Sequence, residues 1–394
     1  MKEAKKIIYY LVTYLPLTVL VLLTVCFCRG TISSATADPA AIYADMKAYL
    51  DAPKGEFLFH TNGGRVSFRY DHYRKDVSYK PSEASFDVSS PDGHELVYVF
   101  GSSPLVTKLF SSPKDGLFPS ILEKKLSSGG KRYHVVNFGV VSFDSFEIKE
   151  LIKAAVAARR PDMIIFYEGH MDYESAYMAA VKPRYYILRR GAYLWTLEQA
   201  AAHAPGWFYR AMIVADWYLR AAVEPNLLNF MQMVNILRIS PGPFEEVNRL
   251  ILGHYADNLE EIMDTASGVG TELVIVTPIA NLEAKPFGIY GITEKYYRRA
   301  LAEPNPVGKL HYFREARDSE IFTGDMRAKR GLYEFLRGIS RPGVKVFDLD
   351  YELEQEGFTF DNDYFYDIGH MRPKLHEIVA EKLFRFLVRE GLAG

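Results

Sequence analysis

The sequence predicts an α/β fold of three layers, in which a mostly parallel sheet is covered by helices on both faces. Two observations predict it. From residue 96 onward, short apolar runs typical of buried strands alternate with longer stretches of helical spacing. The chain has 394 residues, of which 48% are hydrophobic and 24% charged, so it can form a large core. Disulfides cannot stabilise that core, because the only two cysteines, Cys26 and Cys28, both lie in an apolar run near the N-terminus.

Five apolar runs predict the strands of this sheet. They are Leu96–Phe100, Tyr133–Asn137, Asp162–Tyr167, Glu272–Thr277 and Val344–Leu349. A stretch of helical periodicity follows each strand. In chain order, these helices are expected at Leu117–Leu126, Phe146–Ala158, Glu245–Ala266, Arg327–Ile339 and Pro373–Arg389. Because strands and helices alternate along the chain, the strands are expected to run parallel and to be buried on both faces.

The N-terminus carries a candidate membrane anchor. Residues 1–6 contain Lys2, Lys5 and Lys6, and an uncharged, mostly apolar run fills residues 7–28. About 20 apolar residues span a bilayer as a helix, and lysines before the helix hold that end in the cytoplasm. We therefore expect a single transmembrane helix over 7–28, with the rest of the chain outside the cytoplasm.

Two other interpretations of this segment stay open. Ala35-Thr36-Ala37 has the small-x-small pattern of a signal-peptide cleavage site, although the apolar run is longer than the usual signal-peptide core. Cys26 could anchor a lipoprotein, but Val25 stands where a small residue is expected. All three interpretations deliver the bulk of the chain outside the cytoplasm.

The remaining chain divides into a tether and a main domain. Residues 29–95 are expected to form a tether and a region of short strands, and residues 96–394 the α/β domain. An aromatic-rich insertion at about 182–243 interrupts the alternation and holds all three tryptophans. It could be a helical lid or added core, a carbohydrate-binding platform, or a surface that rests on a membrane. The net charge of −2 argues against a nucleic-acid partner.

The residues that follow each strand are the candidates for chemistry, since open α/β sheets bind ligands at the carboxyl ends of their strands. The first strand ends in Gly101-Ser102-Ser103-Pro104. This pattern places Ser103 at a helix N-terminus, where backbone N–H groups favour developing negative charge, or makes it a plain N-cap. Gly139 ends the second strand, two residues after Asn137, and could offer a backbone N–H to a substrate oxygen.

Two further groups stand after later strands. A polar cluster, Glu168–Asp172, follows the third strand and includes His170. Asp367 and His370 precede the last helix, and a histidine beside a carboxylate can act as a general base. The other histidines show no metal-ligand spacing, so no metal site is expected.

Taken in this order, these segments resemble the SGNH (GDSL-like) hydrolase superfamily over about residues 96–387. The resemblance implies Ser103 as nucleophile, with Asp367 and His370 completing a catalytic triad. It also implies an oxyanion hole formed by the backbone N–H groups of Ser103 and Gly139. Asn137, His170 and Asp172 flank these positions and are candidate substrate-binding residues.

Other phrases resemble the bacterial membrane-anchored branch of this superfamily. These phrases are Arg160-Pro161-Asp162, Val276-Thr277-Pro278 with Asn281-Leu282, and Ala316-Arg317-Asp318. One motif departs from the family pattern, because Met171 stands where an asparagine normally donates to the oxyanion. A thioether cannot donate a hydrogen bond. The loss of one such donor typically lowers the rate about 10²–10³-fold. His170 is a candidate substitute donor.

The resemblance implies acyl transfer through a covalent serine intermediate, without a cofactor. The expected function is that of an extracytoplasmic serine esterase or O-acyltransferase acting on acyl esters of a cell-surface glycan or on a small ester. A membrane acyltransferase is an expected partner. The alternative, favoured by Met171, is a catalytically weakened protein that serves as a binding or assembly component of an envelope polysaccharide complex.

Overall fold

A computed structural model of the chain describes residue 48 and residues 57–62, 64–70, 83–106, 116–176, 242–284, 292–320 and 327–394. The predicted transmembrane helix at 7–28 and nearly all of the predicted insertion lie outside these residues. Within the described ranges, no helix combines the length and apolar character that a membrane span needs. The chain separates into two units, Met1–Asp45 with Ala180–Phe244 and Met46–Ala179 with Glu245–Gly394, and the second unit holds the fold below.

A small antiparallel sheet precedes the main one. Its strands are β1 (Phe57–Asn62), β2 (Arg65–Tyr70) and β3 (Glu83–Asp87), paired in that order. Phe86 of β3 packs on Phe138 with ring centroids 4.7 Å apart, and Phe68 of β2 packs on Phe143 at 5.1 Å. These aromatic contacts hold the small sheet against the outer strand of the main sheet and the loop that follows that strand.

The main sheet has five parallel strands, which confirms the predicted α/β fold with a parallel sheet. The strands are β4 (His94–Gly101), β5 (Arg132–Gly139), β6 (Met163–Tyr167), β7 (Glu272–Val276) and β8 (Val344–Phe347). Their order is β5-β4-β6-β7-β8, and Gly101 pairs with both Gly139 and Tyr167. Every residue of β6 is buried, as expected for a strand covered on both faces.

Eight α-helices in the described residues accompany the sheet. They are α1 (Phe118–Leu126), α2 (Ser145–Ala158), α3 (Gly242–Gly268), α4 (Ile292–Ala302), α5 (Pro306–Asp318), α6 (Arg330–Arg337), α7 (Leu349–Gln355) and α8 (Pro373–Arg389). Local sequence defines several of their ends. Asp144 and Glu147 form a capping box at the start of α2, and Asn305 caps α5 before Pro306.

The sequence did not predict α4, α5 and α7. Helices α4 and α5 pack on each other through few apolar side chains, such as Tyr297 and Phe313 with ring centroids 5.8 Å apart, and most of their other residues are polar. Helix α7 begins inside the predicted strand Val344–Leu349. That strand ends at Phe347, because Asp348 accepts a hydrogen bond from Tyr351 N–H and starts the helix.

Candidate active site

Ser103 lies at the carboxyl end of β4, next to the topological switch point of the sheet. Strand β5 pairs with one edge of β4 and β6 with the other, so the chain leaves β4 where the strand order reverses. Ser103 begins a three-residue 3₁₀ turn, Ser103–Leu105, and is half-buried, whereas Ser102 is only 2% exposed. A turn this short has no appreciable macrodipole, so the described residues do not give Ser103 the predicted helix N-terminus.

Two glycines let this turn pack closely on the sheet. A Cβ atom on Gly139 would lie 2.5 Å from Leu105 Cβ. A Cβ atom on Gly101 would lie 2.5 Å from the backbone oxygen of Tyr167 and 2.8 Å from Leu105 Cδ1. Such distances exclude any side chain without a shift of the backbone. The two glycines therefore allow Leu105, and with it the turn that holds Ser103, to lie against β5 and β6.

Asp367 and His370 form a contact within one loop. His370 Nδ1 lies 2.6 Å from Asp367 Oδ2, and Asp367 Oδ1 accepts hydrogen bonds from the N–H groups of Gly369 at 3.0 Å and His370 at 2.8 Å. Burial raises the pKa of Asp367, but His370 and these N–H groups outweigh burial and hold the pKa below its usual value. Asp367 is therefore a carboxylate at neutral pH, and His370 Nδ1 carries the shared proton.

The loop after β7 brings this pair to the edge of the sheet that holds Ser103. Asn281 N–H donates to the Ile368 oxygen at 2.8 Å. Two residues earlier, the Ile279 oxygen accepts a hydrogen bond from His170, which follows β6. The segments after β6 and β7 and the Asp367–His370 loop thus meet at the carboxyl edge of the sheet, the edge at which Ser103 follows β4 and at which α/β sheets bind ligands.

The N–H of Gly139, a predicted oxyanion donor, has a partner in the structure. It donates to Asn137 Oδ1 at 2.9 Å, and Asn137 Nδ2 donates to the Leu105 oxygen at 2.9 Å. These two bonds fix the orientation of the Asn137 amide. Asn137 therefore ties the end of β5 to the Ser103 turn. A substrate oxygen would have to replace Asn137 Oδ1 to reach this N–H.

Glu168 organises the segment that contains Met171. Its Oε1 accepts hydrogen bonds from the N–H groups of Gly169 at 2.8 Å and Met171 at 2.9 Å. Burial raises the pKa of Glu168, although these N–H groups and the Ser102 hydroxyl oppose the increase. Met171 is buried, with 7% of its surface exposed. Sequence reasoning assigned no role to Glu168, and its one signal is an acidic residue directly after a buried strand.

His170 and Asp172 form hydrogen bonds to other parts of the chain. His170 Nε2 donates to the Ile279 oxygen at 3.1 Å, and its Nδ1 accepts from Ala328 N–H at 2.9 Å, so both ring nitrogens bind backbone. Burial lowers the pKa of His170 to about 4. Asp172 accepts hydrogen bonds from the hydroxyl and the N–H of Ser145. His170 is therefore not placed to replace the missing asparagine, and Asp172 stabilises the start of α2.

Ser142, between β5 and α2, is a feature that the sequence did not signal. Its φ of 61° lies in the left-handed region, which destabilises a residue with a side chain by about 1–2 kcal/mol. Such strain is concentrated at functional sites in proteins. The loop that follows Gly139 is therefore held in an unfavourable conformation near the same sheet edge.

Metal ligands are not grouped in the part of the chain that the structure describes: no three histidine, cysteine or acidic side chains there could hold one ion.

No family model matches the chain, and no curated protein matches it. Among solved structures, it is similar to the acetyl xylan esterase AlAXEase, with 12% identity, 74% of this chain and 99% of that chain covered, and a TM-score of 0.34. A protein assigned to the G-D-S-L lipolytic family from Desulfitobacterium hafniense DCB-2 has 10% identity, coverages of 74% and 99%, and a TM-score of 0.36. A lipase/acylhydrolase from Enterococcus faecalis has 11% identity, coverages of 74% and 95%, and a TM-score of 0.32. With TM-scores below 0.5, these likenesses to ester hydrolases assign no activity to this chain.

Proposed function

We propose that this chain is a serine esterase or O-acyltransferase that acts outside the cytoplasm on acyl esters of a cell-surface glycan. The observation that supports it best is the contact between His370 Nδ1 and Asp367 Oδ2 at the sheet edge that holds Ser103. A half-buried serine and a histidine oriented by a carboxylate are the groups that acyl transfer requires.

The proposed reaction begins with attack of Ser103 Oγ on the ester carbonyl carbon. Because His370 Nδ1 carries the proton shared with Asp367, Nε2 is the atom that takes the proton of Ser103. Asp367, ionised at neutral pH, stabilises the imidazolium that forms. The alcohol leaves with the proton from His370. Water or a sugar hydroxyl then attacks the acyl-serine carbonyl as His370 Nε2 takes its proton, and His370 returns that proton to Ser103 Oγ when the acyl–Oγ bond breaks.

The location and the glycan substrate rest on features outside the site. Residues 7–28 are apolar and follow three lysines, which favours a membrane anchor with the catalytic domain on the far side. The aromatic-rich segment at about 182–243 contains all three tryptophans and several tyrosines, residue types with the flat apolar faces that a carbohydrate-binding platform uses. A membrane acyltransferase that delivers acyl groups to the same glycan is the proposed partner.

The direct test is ester hydrolysis by the full chain purified in detergent. Wild-type protein is expected to release p-nitrophenol from p-nitrophenyl acetate, and Ser103→Ala is expected to reduce the rate to background. Ser102→Ala is the matched control, since it removes the neighbouring hydroxyl and is expected to retain measurable turnover. A wild-type rate no higher than that of Ser103→Ala would refute the proposal that this chain is a serine esterase.

A second candidate function is a binding or assembly role with little catalysis. Two observations favour it: Met171 cannot donate a hydrogen bond, and Gly139 N–H is bonded to Asn137 Oδ1. Each reduces the stabilisation available to an oxyanion.

Met171→Asn separates the two functions. If the missing donor limits catalysis, this variant is expected to raise kcat by up to about 10²-fold, the usual value of one oxyanion donor, with KM little changed. Met171→Leu, which is apolar and of similar volume, is the control and is expected to behave like the wild type. The same kcat in all three proteins would show that the side chain at this position does not limit the rate.

A further inference from the structure

Asn281, in the loop after β7, is fully buried and contacts the segment that contains Asp367 and His370. We infer that Asn281 is a positioning residue: it holds the Asp367–His370 pair at the angle from which His370 serves Ser103. This inference rests on the proposed function. Asn281 itself is not expected to touch substrate.

The donors of Asn281 fix the start of the Asp367–His370 segment. Asn281 Nδ2 donates to the Asp367 backbone oxygen at 3.0 Å and to Asn362 Oδ1 at 2.9 Å. Its backbone N–H donates to the Ile368 oxygen at 2.8 Å. One residue therefore binds two successive carbonyl groups, which fixes both the position and the rotation of that backbone.

The acceptor of the Asn281 side chain fixes its own orientation. Asn281 Oδ1 accepts hydrogen bonds from the N–H groups of Glu283 at 3.1 Å and Ala284 at 3.0 Å. Since N–H groups bind only the amide oxygen, the Nδ2 group must face Asp367. The direction of the amide is thus set by the chain that follows it.

A buried arginine holds the backbone of Asn281. Arg327 donates from Nη1 to the Asn281 oxygen at 2.8 Å, and its other nitrogens bind the Glu320 carboxylate. Arg327 and Glu320 are 1% and 3% exposed, so this contact is shielded from solvent. Asn281 is therefore fixed on one side by Arg327 and binds the Asp367–His370 segment on the other.

The internal bonds of the Asp367–His370 segment do not by themselves orient it against the sheet. Among the described residues, the Asp367 carboxylate bonds only to groups of residues 369 and 370, and Tyr366 N–H donates to the His370 oxygen at 2.8 Å, so these bonds join the pair to its own loop. Asn281 joins this loop to the one that follows β7. A displacement of about 1 Å between reacting groups can lower a rate about 10²-fold.

The experiment compares Asn281→Ala and Asn281→Asp with Thr271→Val. Asn281→Asp keeps the shape and the acceptor but loses the donation to Asp367. Thr271 is 4% exposed and donates to the Pro161 oxygen at the opposite end of β7, so its variant loses a buried hydrogen bond away from the site. For p-nitrophenyl acetate, both Asn281 variants are expected to lower kcat about 10- to 100-fold with KM within about 2-fold of wild type. Thr271→Val is expected to keep the wild-type kcat.

A spectroscopic readout makes the test independent of turnover. The proton on His370 Nδ1 is observed by NMR in protein labelled with ¹⁵N-histidine, and His370→Gln assigns its signal. Both Asn281 variants are expected to shift or broaden this signal, and Thr271→Val is not. If wild-type protein shows no esterase activity, the proposed function fails while this signal still reports on positioning. Unchanged kcat and an unchanged His370 signal in folded Asn281→Asp would overturn the inference.

Discussion

Leu105 explains why the chain needs glycine at two strand ends. Its side chain and backbone fill the space next to Gly101 and Gly139, and its oxygen accepts a hydrogen bond from Asn137. The Ser103 turn is therefore positioned by packing as well as by the strand that precedes it. Leu105, which carries no reactive group, therefore helps to set the position of Ser103.

We expect Gly139→Ala to destabilise the protein by about 1–3 kcal/mol, the usual effect of overpacking a core. The added Cβ would lie 2.5 Å from Leu105 Cβ and 3.0 Å from the Leu105 oxygen, so the turn must move. Urea unfolding measures the change, and esterase turnover should fall in the same variant.

Gly253→Ala is the control for this prediction. Gly253 lies in α3 with open space around it, so alanine there should raise the free energy of unfolding by up to about 1 kcal/mol through helix propensity. Equal effects of the two substitutions would show that contact with Leu105 does not restrict position 139.

At the scale of elements, the sequence predicts those features that are determined by residues close to one another in the chain. Ser103 after β4 and the Asp367–His370 pair before α8 follow from local patterns, because strand ends and helix starts are encoded nearby. Contacts between distant segments could not be predicted. His170 meets Ile279 and Ala328, and Asn281 meets Asp367, only because the sheet brings their loops together. For the same reason, the sequence does not predict helices α4 and α5. They pack on each other through a few apolar side chains, and most of their other residues are polar, so their apolar pattern is weak.

The Arg327–Glu320 pair joins the end of α5 to the segment before α6 and to the loop after β7. We expect Arg327→Met to lower the free energy of unfolding by about 3–5 kcal/mol, because within the described residues it leaves the buried Glu320 carboxylate with Lys329 as its one cationic partner. The double variant Arg327→Met/Glu320→Gln should recover part of this loss. Urea unfolding of the two single variants and the double variant gives the coupling energy.

Arg341→Met is the control for the ion pair. Arg341 bridges Glu260 and Asp264 at the surface, where solvent screens the charges, so its loss should leave the free energy of unfolding nearly unchanged. A coupling energy near zero between Arg327 and Glu320 would contradict the role assigned to this pair.

At the scale of the whole molecule, the net charge is near neutral, but several buried groups have pKa values shifted from their usual range. Burial lowers the pKa of His376 from 6.5 to about 4, and its Nδ1 accepts a hydrogen bond from Phe118 N–H at the start of α1. The same effect at His170 lowers its pKa to about 4. Burial raises the pKa of Glu168 and of Asp350, so the folded state binds these protons at a higher pH than the unfolded state does. Acid therefore favours folding through these carboxyls and unfolding through the two histidines.

The stability of the fold should therefore depend on pH through His376 in a way that one substitution can isolate. Between pH 6.5 and about 4 the unfolded chain protonates this histidine while the folded chain does not, so acid favours unfolding. From pH 7 to pH 4.5, His376→Gln should lose about 2–3 kcal/mol less stability than wild type, because glutamine keeps an acceptor for Phe118 N–H and does not titrate. Urea unfolding at both pH values measures the stability that each protein loses. The carboxyl groups titrate in the same way in both proteins, so their contribution cancels when the two losses are subtracted. His311→Gln, an exposed histidine on α5, should follow the wild type, and parallel pH profiles for all three proteins would show that His376 is not buried as a neutral group.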